Sequence, residues 1–177
     1  MTRIRADYEA RCASKERAQA DIVGHLPFLY ETACSYDGVQ VIELGVRRGN
    51  STSAFLAAVH KKHGHLWSVD VQRSVRNLVP QWWHDLDYWT LHTGRSLGAR
   101  ALQKAPRECD VLFLDASHTE TYEELQAYAP RVRPGGMVLA HDTDNPLFDG
   151  EVSRAMDHYF GEWENRTGCE GLGMARL

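Results

Sequence analysis

The sequence predicts a doubly wound α/β domain, a mostly parallel sheet with helices on both faces. Three observations lead there. Val41 to Leu44 is a short apolar run that passes through Gly45 and Gly49 into a helical pattern carrying Phe55, Leu56 and Val59. Leu66 to Val71 is a second such run, with an acid at Asp70, at the spacing of one β-α-β unit. Further along, short apolar runs keep alternating with helical segments, a pattern that calls for right-handed crossovers and a parallel sheet. With 177 residues, 43% of them hydrophobic, and no interior stretch that reads as a linker, residues 1–177 are expected to form one domain around a sizeable core.

In chain order, residues 1–36 form an N-terminal helical segment, its helix expected from Ser14 to Cys34. Strands are expected near 40–44, 66–70, 88–92, 110–114 and 137–141, and helices near 51–62, 96–105, 120–129 and 151–160. Asn50, Ser51 or Thr52 is the expected cap of the first of these helices. Ser117-His118-Thr119 ahead of Glu120 reads as a helix entry, and 162–167 with 172–177 are spaced for a hairpin around Gly168 to Gly171. The aromatic stretch Gln81 to Trp89 either lines a pocket or packs a loop onto the sheet edge, the commoner use of tryptophan. Internal repeats and low-complexity segments are absent from the sequence.

Glycines at 45 and 49 allow positive φ and a close backbone approach, and exposed N–H groups at a helix start favour a carboxylate or phosphate. The bland alternative is a strand-to-helix turn with glycines for geometry. An acid closing the second strand sits where such folds offer a carboxylate to ribose hydroxyls. The loop, Glu-x-Gly-x-x-x-Gly, lacks the close Gly-x-Gly pair that admits a dinucleotide pyrophosphate, which argues against a nicotinamide-dependent oxidoreductase.

With Glu43 closing the first strand, the loop resembles the first motif of class I S-adenosylmethionine-dependent methyltransferases. Asp21 to Pro27 is similar to the N-terminal helix of a bacterial subgroup of small O-methyltransferases and cephalosporin hydroxylase-like proteins. Cys109 to His118 resembles its fourth strand with the following Asp-x-x-His, Arg133 to Thr143 its fifth strand entered through Pro-Gly-Gly and ending in His-Asp, and Gly171 to Leu177 its closing strand. The resemblance covers nearly the whole chain. It implies a Rossmann-like methyltransferase sheet with a final antiparallel strand at the C-terminus. It also implies S-adenosyl-L-methionine as cofactor, with Glu43, Gly45, Gly49, Asn50, Ser51, Thr52, Asp70, Val71, Gly94, Ser96 and Asp115 around it and Asp70 on the ribose. Related proteins often carry Gly-Asp-Ser near the adenine; here Arg95 stands in the middle of Gly94-Arg95-Ser96, which keeps Ser96 as a contact and puts an acidic contribution in doubt.

In such a sheet, ligands collect outside the carboxyl ends of the strands, so Glu43, Asp70, Asp115, His141 and Asp142 are expected to face one crevice. In related O-methyltransferases the acid after the fourth strand and a polar pair after the fifth hold a divalent cation, which makes Asp115, His141 and Asp142 metal candidates for Mg2+ or Mn2+. A bound cation lowers the pKa of an acceptor hydroxyl and fixes its position. The histidine in the set also suits iron or zinc. The other reading of His141-Asp142-Thr143 is a hydrogen-bonded turn. His118 and His141, with Asp115, are the catalytic candidates, since an imidazole can take the hydroxyl proton as the methyl group transfers. The other reading of His118 is a residue that simply lies over the helix start, and the base role is preferred because Asp115 directs this loop toward the crevice. His60, His63 and His65 cluster away from the crevice and read as surface residues.

A net charge of −4, from 20 basic and 24 acidic residues, carries no footprint for nucleic acid. Arg47-Arg48 reads either as an anion contact or as a solvated loop. Met1 to Lys15 lacks the apolar core of a signal peptide, no run reaches membrane-spanning length, and four scattered cysteines form no Cys-x-x-Cys pair. A cytoplasmic protein with reduced thiols is expected, with no membrane partner. The leading expectation is an O-methyltransferase acting on a small hydroxylated acceptor, a sugar or natural-product precursor. The alternative is a non-catalytic S-adenosylmethionine-binding or assembly module. Self-association into a homo-oligomer is left open.

Overall fold

The computed structural model describes residues 2–14 and 22–177. The expected helix from Ser14 to Cys34 falls partly outside the described residues, and what is described differs from it. An unexpected helix, α1 (Arg3–Cys12), precedes a 3-10 turn at Ile22–His25 and a helix α2 (Leu26–Cys34) with Pro27 in its first turn. Proline is tolerated there because its missing N–H would have no helical partner. Then follow β1 (Gln40–Leu44), α3 (Asn50–Lys62), β2 (His65–Asp70), α4 (Val75–Leu78), β3 (Trp89–Thr93), α5 (Ala99–Lys104), β4 (Cys109–Leu114), α6 (Thr121–Tyr128), β5 (Val132–His141), α7 (Glu151–Phe160), β6 (Glu164–Arg166) and β7 (Leu172–Arg176).

The seven strands form one sheet in the order β3-β2-β1-β4-β5-β7-β6. The first five run parallel, and β7 runs antiparallel to both β5 and β6. The doubly wound expectation holds, and so does the antiparallel C-terminal strand. The Pro-Gly-Gly expected as a turn into the fifth strand lies inside β5, where the pairing with β4 shifts register between Cys109 and Val111.

Alternation along each strand sends side chains to opposite faces. Val41, Leu66, Val111, Phe113 and Leu139 meet α2, α3 and Trp83 on one face. Ile42, Leu44, Leu112, Val138 and Ala140 meet α5, α6 and α7 on the other. α7 turns Val152, Ala155 and Met156 inward, an i, i+3, i+4 spacing that makes one helix face apolar. The aromatic stretch serves packing: Trp83 is fully buried and meets Trp89 edge-on at 5.8 Å. Among the described residues no helix is long and apolar enough to cross a membrane.

The chain reverses its winding between β1 and β4, the neighbours at the centre of the sheet. Their aligned ends, Leu44 opposite Val69 and Leu114, bring the loops after β1, β2 and β4 to one edge. That edge is where a ligand crevice is expected.

Candidate active site

A cleft of about 390 Å³ opens at this edge, walled by the loops after β1, β2, β3 and β4. Of the residues expected to bind a cofactor, Gly45, Asp70, Val71, Gly94, Ser96 and Asp115 line it. Gly45 is required by its surroundings: its φ is +94°, and a Cβ there would stand 2.1 Å from the Asp115 carbonyl oxygen. Asp70 binds its own loops. Its Oδ2 accepts the N–H groups of Val46 and Arg47 at 2.9 and 2.8 Å, and its Oδ1 accepts that of Gln72 at 2.7 Å. A carboxylate offers about four acceptor positions, so one remains for a ligand hydroxyl. Val71 is 64% exposed beside it, an apolar surface suited to a nucleoside.

Glu43, Ser51 and Thr52 are placed differently from their expected roles. β1 turns Glu43 under the first turn of α3, fully buried, where it accepts hydrogen bonds from Ser51 Oγ at 2.7 Å, Thr52 Oγ1 at 3.0 Å and Ser68 Oγ at 2.7 Å. Burial pushes its carboxyl up to about 7 in spite of those donors. These residues anchor the loop from beneath. Asn50 accepts a hydrogen bond from Arg11, and α3 is entered through Gly49, in the left-handed region and without a side-chain cap, so the expected cap at 50–52 is absent. Gly49 faces Trp83 rather than the cleft: a Cβ would lie 2.6 Å from the indole.

Beyond β4 and β5 the polar groups converge. Asp142 Oδ2 accepts from His118 Nε2 at 2.7 Å, and one ligand atom from each of Asp115, His118 and Asp142 lies within 4.8 Å of the others. His118, not His141, completes the trio. His141 is 2% exposed; its Nε2 donates to the Cys169 carbonyl oxygen at 2.9 Å, and its Nδ1 faces Asp115 and Asp142 at 3.5 and 3.4 Å. Burial opposes its charge, but the two carboxylates outweigh it and raise the imidazole to about 11. With its Nε2 on a backbone carbonyl, its Nδ1 faces the two acids, whose charge it balances when protonated. Asp142 is held well below the usual carboxylate range by His118 and His141, against its burial. Asp142 also has φ +68°, a conformation a short polar side chain tolerates.

Two carboxylates and an imidazole suit zinc or iron better than magnesium, which prefers oxygen ligands; manganese would be served chiefly by the two carboxylates. The segment 115–120 divides two cavities. Asp115, Ala116, Ser117 and Glu120 face the cleft already described, whereas His118 and Thr119 face a second cavity, also of about 390 Å³, with Tyr122, Arg154 and His158. Phe148 stacks on His118 at 3.4 Å between ring centroids.

Glu124 was not legible in the sequence. It is fully buried, receives a short hydrogen bond from Ser96 Oγ, and is pushed by burial to about 7. With the Tyr128 hydroxyl on the Ser96 carbonyl at 2.5 Å and an ion pair between Arg95 and Glu120, it closes one wall of the cleft. The only sequence signal was an acid on the inward face of α6. His60, His63 and His65 lie around a shallow depression with Asp87 and Tyr88, away from the cleft.

Residues 42–143, more than half of the chain, match the model of a family described as a methyltransferase domain. Among solved structures, the chain is similar to the O-methyltransferase TomG from Streptomyces achromogenes, involved in tomaymycin synthesis and solved in complex with SAM. The identity is 17%, covering 100% of this chain and 90% of that one, with a TM-score of 0.74. It is also similar to the O-methyltransferase from Bacillus cereus in complex with SAH, at 14% identity over 98% and 88% of the two chains and a TM-score of 0.70. A third likeness is to the O-methyltransferase NovP, at 17% identity over 87% and 79% and a TM-score of 0.65. At such identities these likenesses speak for the fold. No curated protein matches the chain.

Proposed function

Since the chain belongs to the methyltransferase-domain family, we propose that it transfers a methyl group from S-adenosyl-L-methionine to the hydroxyl of a small acceptor, a sugar or natural-product precursor. The observation that carries the proposal is the pairing of Asp142 with His118, which stands on the segment that divides the two cavities. Bound S-adenosylmethionine supplies an electrophilic methyl carbon on its sulfonium. The chain's residues do the rest. Asp70 has one acceptor position left for a ribose hydroxyl, and Gly45 lets the loop after β1 close onto the ligand. The acceptor occupies the second cavity, against Tyr122 and within reach of Arg154 and His158. Asp142 holds the Nε2–H of His118, which leaves Nδ1, without a hydrogen-bond partner among the described residues, to take the acceptor proton. Holding both partners in one geometry supplies much of the rate.

The spacing of Asp115, His118 and Asp142 supports a second reading in which the three hold a divalent cation that lowers the pKa of the acceptor hydroxyl. The four cysteines carry free thiols, which suits the reducing cytoplasm proposed for the protein.

Methyl transfer from labelled cofactor to a panel of hydroxylated acceptors tests the proposal. Binding of S-adenosylhomocysteine with no turnover on any acceptor would favour a binding module. Thermal stabilisation by NAD and not by S-adenosylhomocysteine would overturn the cofactor; a ligand at about 100 times its Kd adds about 2.7 kcal/mol.

A further inference from the structure

α1 supplies no side chain to the wall of the cofactor cleft, yet its last turn grips the loop that forms it. Arg11 Nη1 donates to the Arg48 carbonyl oxygen and to Asn50 Oδ1, each at 3.0 Å. Its Nε donates to Asp7 Oδ2 at 3.0 Å, one turn back on α1, which fixes the plane of the guanidinium. The same group lies 5.1 Å from the centroid of the Trp83 ring, the ring that a Cβ at Gly49 would strike. The loop after β1 is therefore held on two sides: Asp70 takes the N–H groups of Val46 and Arg47 from the cleft side, while Arg11 and Trp83 take residues 48–50 from the outside.

Elsewhere α1 contacts α3 and aromatic rings. Among the described residues it buries Ile4 and Tyr8, stacks Tyr8 on Tyr30 at 5.0 Å, packs Cys12 against the core, and lays Arg3 over Trp82 at 4.4 Å and Arg5 over Tyr30 at 4.5 Å. Whatever fixes the loop thus also fixes α1, and the converse holds by linkage.

We propose that Arg11 is a positioning residue of the cofactor site, coupling the docking of α1 to the grip of the glycine loop on its ligand. The proposal rests on the S-adenosylmethionine reading of the cleft.

Calorimetric titration with S-adenosylhomocysteine of the wild type, Arg11→Ala, Arg11→Met and Arg11→Lys tests it, together with steady-state kinetics. Methionine keeps the stem on Trp83 and removes every donor; lysine keeps one charged donor. Kd and the KM for S-adenosylmethionine should rise about tenfold in the alanine and methionine variants, within the range of site-to-site couplings. The kcat at saturating cofactor should hold, and lysine should recover part of the affinity. Amide exchange of the wild type needs no variant: saturating S-adenosylhomocysteine should slow exchange across residues 3–12. Equal affinity in Arg11→Met and wild type, a fall in kcat with KM unchanged, or α1 amides indifferent to the ligand would each overturn the coupling. A wild type that does not bind S-adenosylhomocysteine would instead sink the cofactor reading, and this proposal with it.

Discussion

Replacing Glu43 by Gln removes a buried ionisable group while keeping its shape. In the folded protein its carboxyl is raised from 4.5 to about 7 by burial, so the native state holds this proton more tightly than the unfolded chain. The stability it contributes is complete below pH 4.5 and is lost as pH rises through about 7. At about 1.4 kcal/mol per pH unit, that interval amounts to about 3 kcal/mol. Glutamine fits the same partners. Ser68 Oγ accepts from Trp89 Nε1 at 3.0 Å and so has its own proton for residue 43, which the amide oxygen can receive. The amide nitrogen then faces Ser51 and Thr52, whose hydroxyls turn to accept it. Urea unfolding of both proteins across this pH range reads the difference. The wild type should lose up to about 3 kcal/mol more than Glu43→Gln on the alkaline side, and the two should bind S-adenosylhomocysteine equally. Identical pH slopes would refute the buried carboxyl, and a large loss of affinity in Glu43→Gln would return Glu43 to the ligand contacts.

Asp70→Ala should weaken S-adenosylhomocysteine binding and lower stability together, by about 1–3 kcal/mol for each N–H left buried without an acceptor; an undiminished affinity in calorimetry would exclude Asp70 from the cofactor site. His118→Ala should slow methyl transfer by about 10²–10⁴ with cofactor affinity retained, and a variant as fast as wild type would remove it from the chemistry. Chelation separates the two readings of the trio: a cation at Asp115, His118 and Asp142 requires that activity vanish with chelator and return with manganese or zinc, whereas the histidine base alone predicts no response. Gly49→Ala should destabilise by about 1–3 kcal/mol in urea unfolding, because the added methyl meets the buried Trp83 ring.

Strands and long helices were legible because each carries its own period. β1 at 40–44 and α7's Val152, Ala155 and Met156 need no partner to be recognised. α1 escaped because of its residues only Ile4 and Tyr8 are buried, and many of its contacts reach residues far along the chain, Tyr8 on Tyr30, Arg3 over Trp82 and Arg11 on Arg48, Asn50 and Trp83. The segment 96–105 yields only the six residues of α5, since Ser96 is taken by Glu124 and Tyr128 and Gly98 starts the helix. Those two partners come from α6, beyond what local spacing reveals.

The site was legible as a set of positions and less so as a set of roles. Polar groups at strand ends were read as facing a ligand, but every such group also stands beside loops whose backbone N–H groups have lost their sheet partners and must be satisfied first. Asp70 spends three of its acceptor positions this way, and Glu43, one residue before the strand ends, is turned by the pleat into the core under α3. The same logic sorts the two histidines. His141 ends β5 on the buried side, with Nε2 on the Cys169 carbonyl and Nδ1 between two carboxylates that favour its charged form. His118 lies past the end of β4, on a turn with no sheet obligation, and so keeps a ring nitrogen for a reaction. Groups that close the strands therefore give most of their capacity to holding the loops, as Asp70 does with one acceptor position left over, while a group set beyond the strand end, as His118 is, keeps more of its own for a ligand.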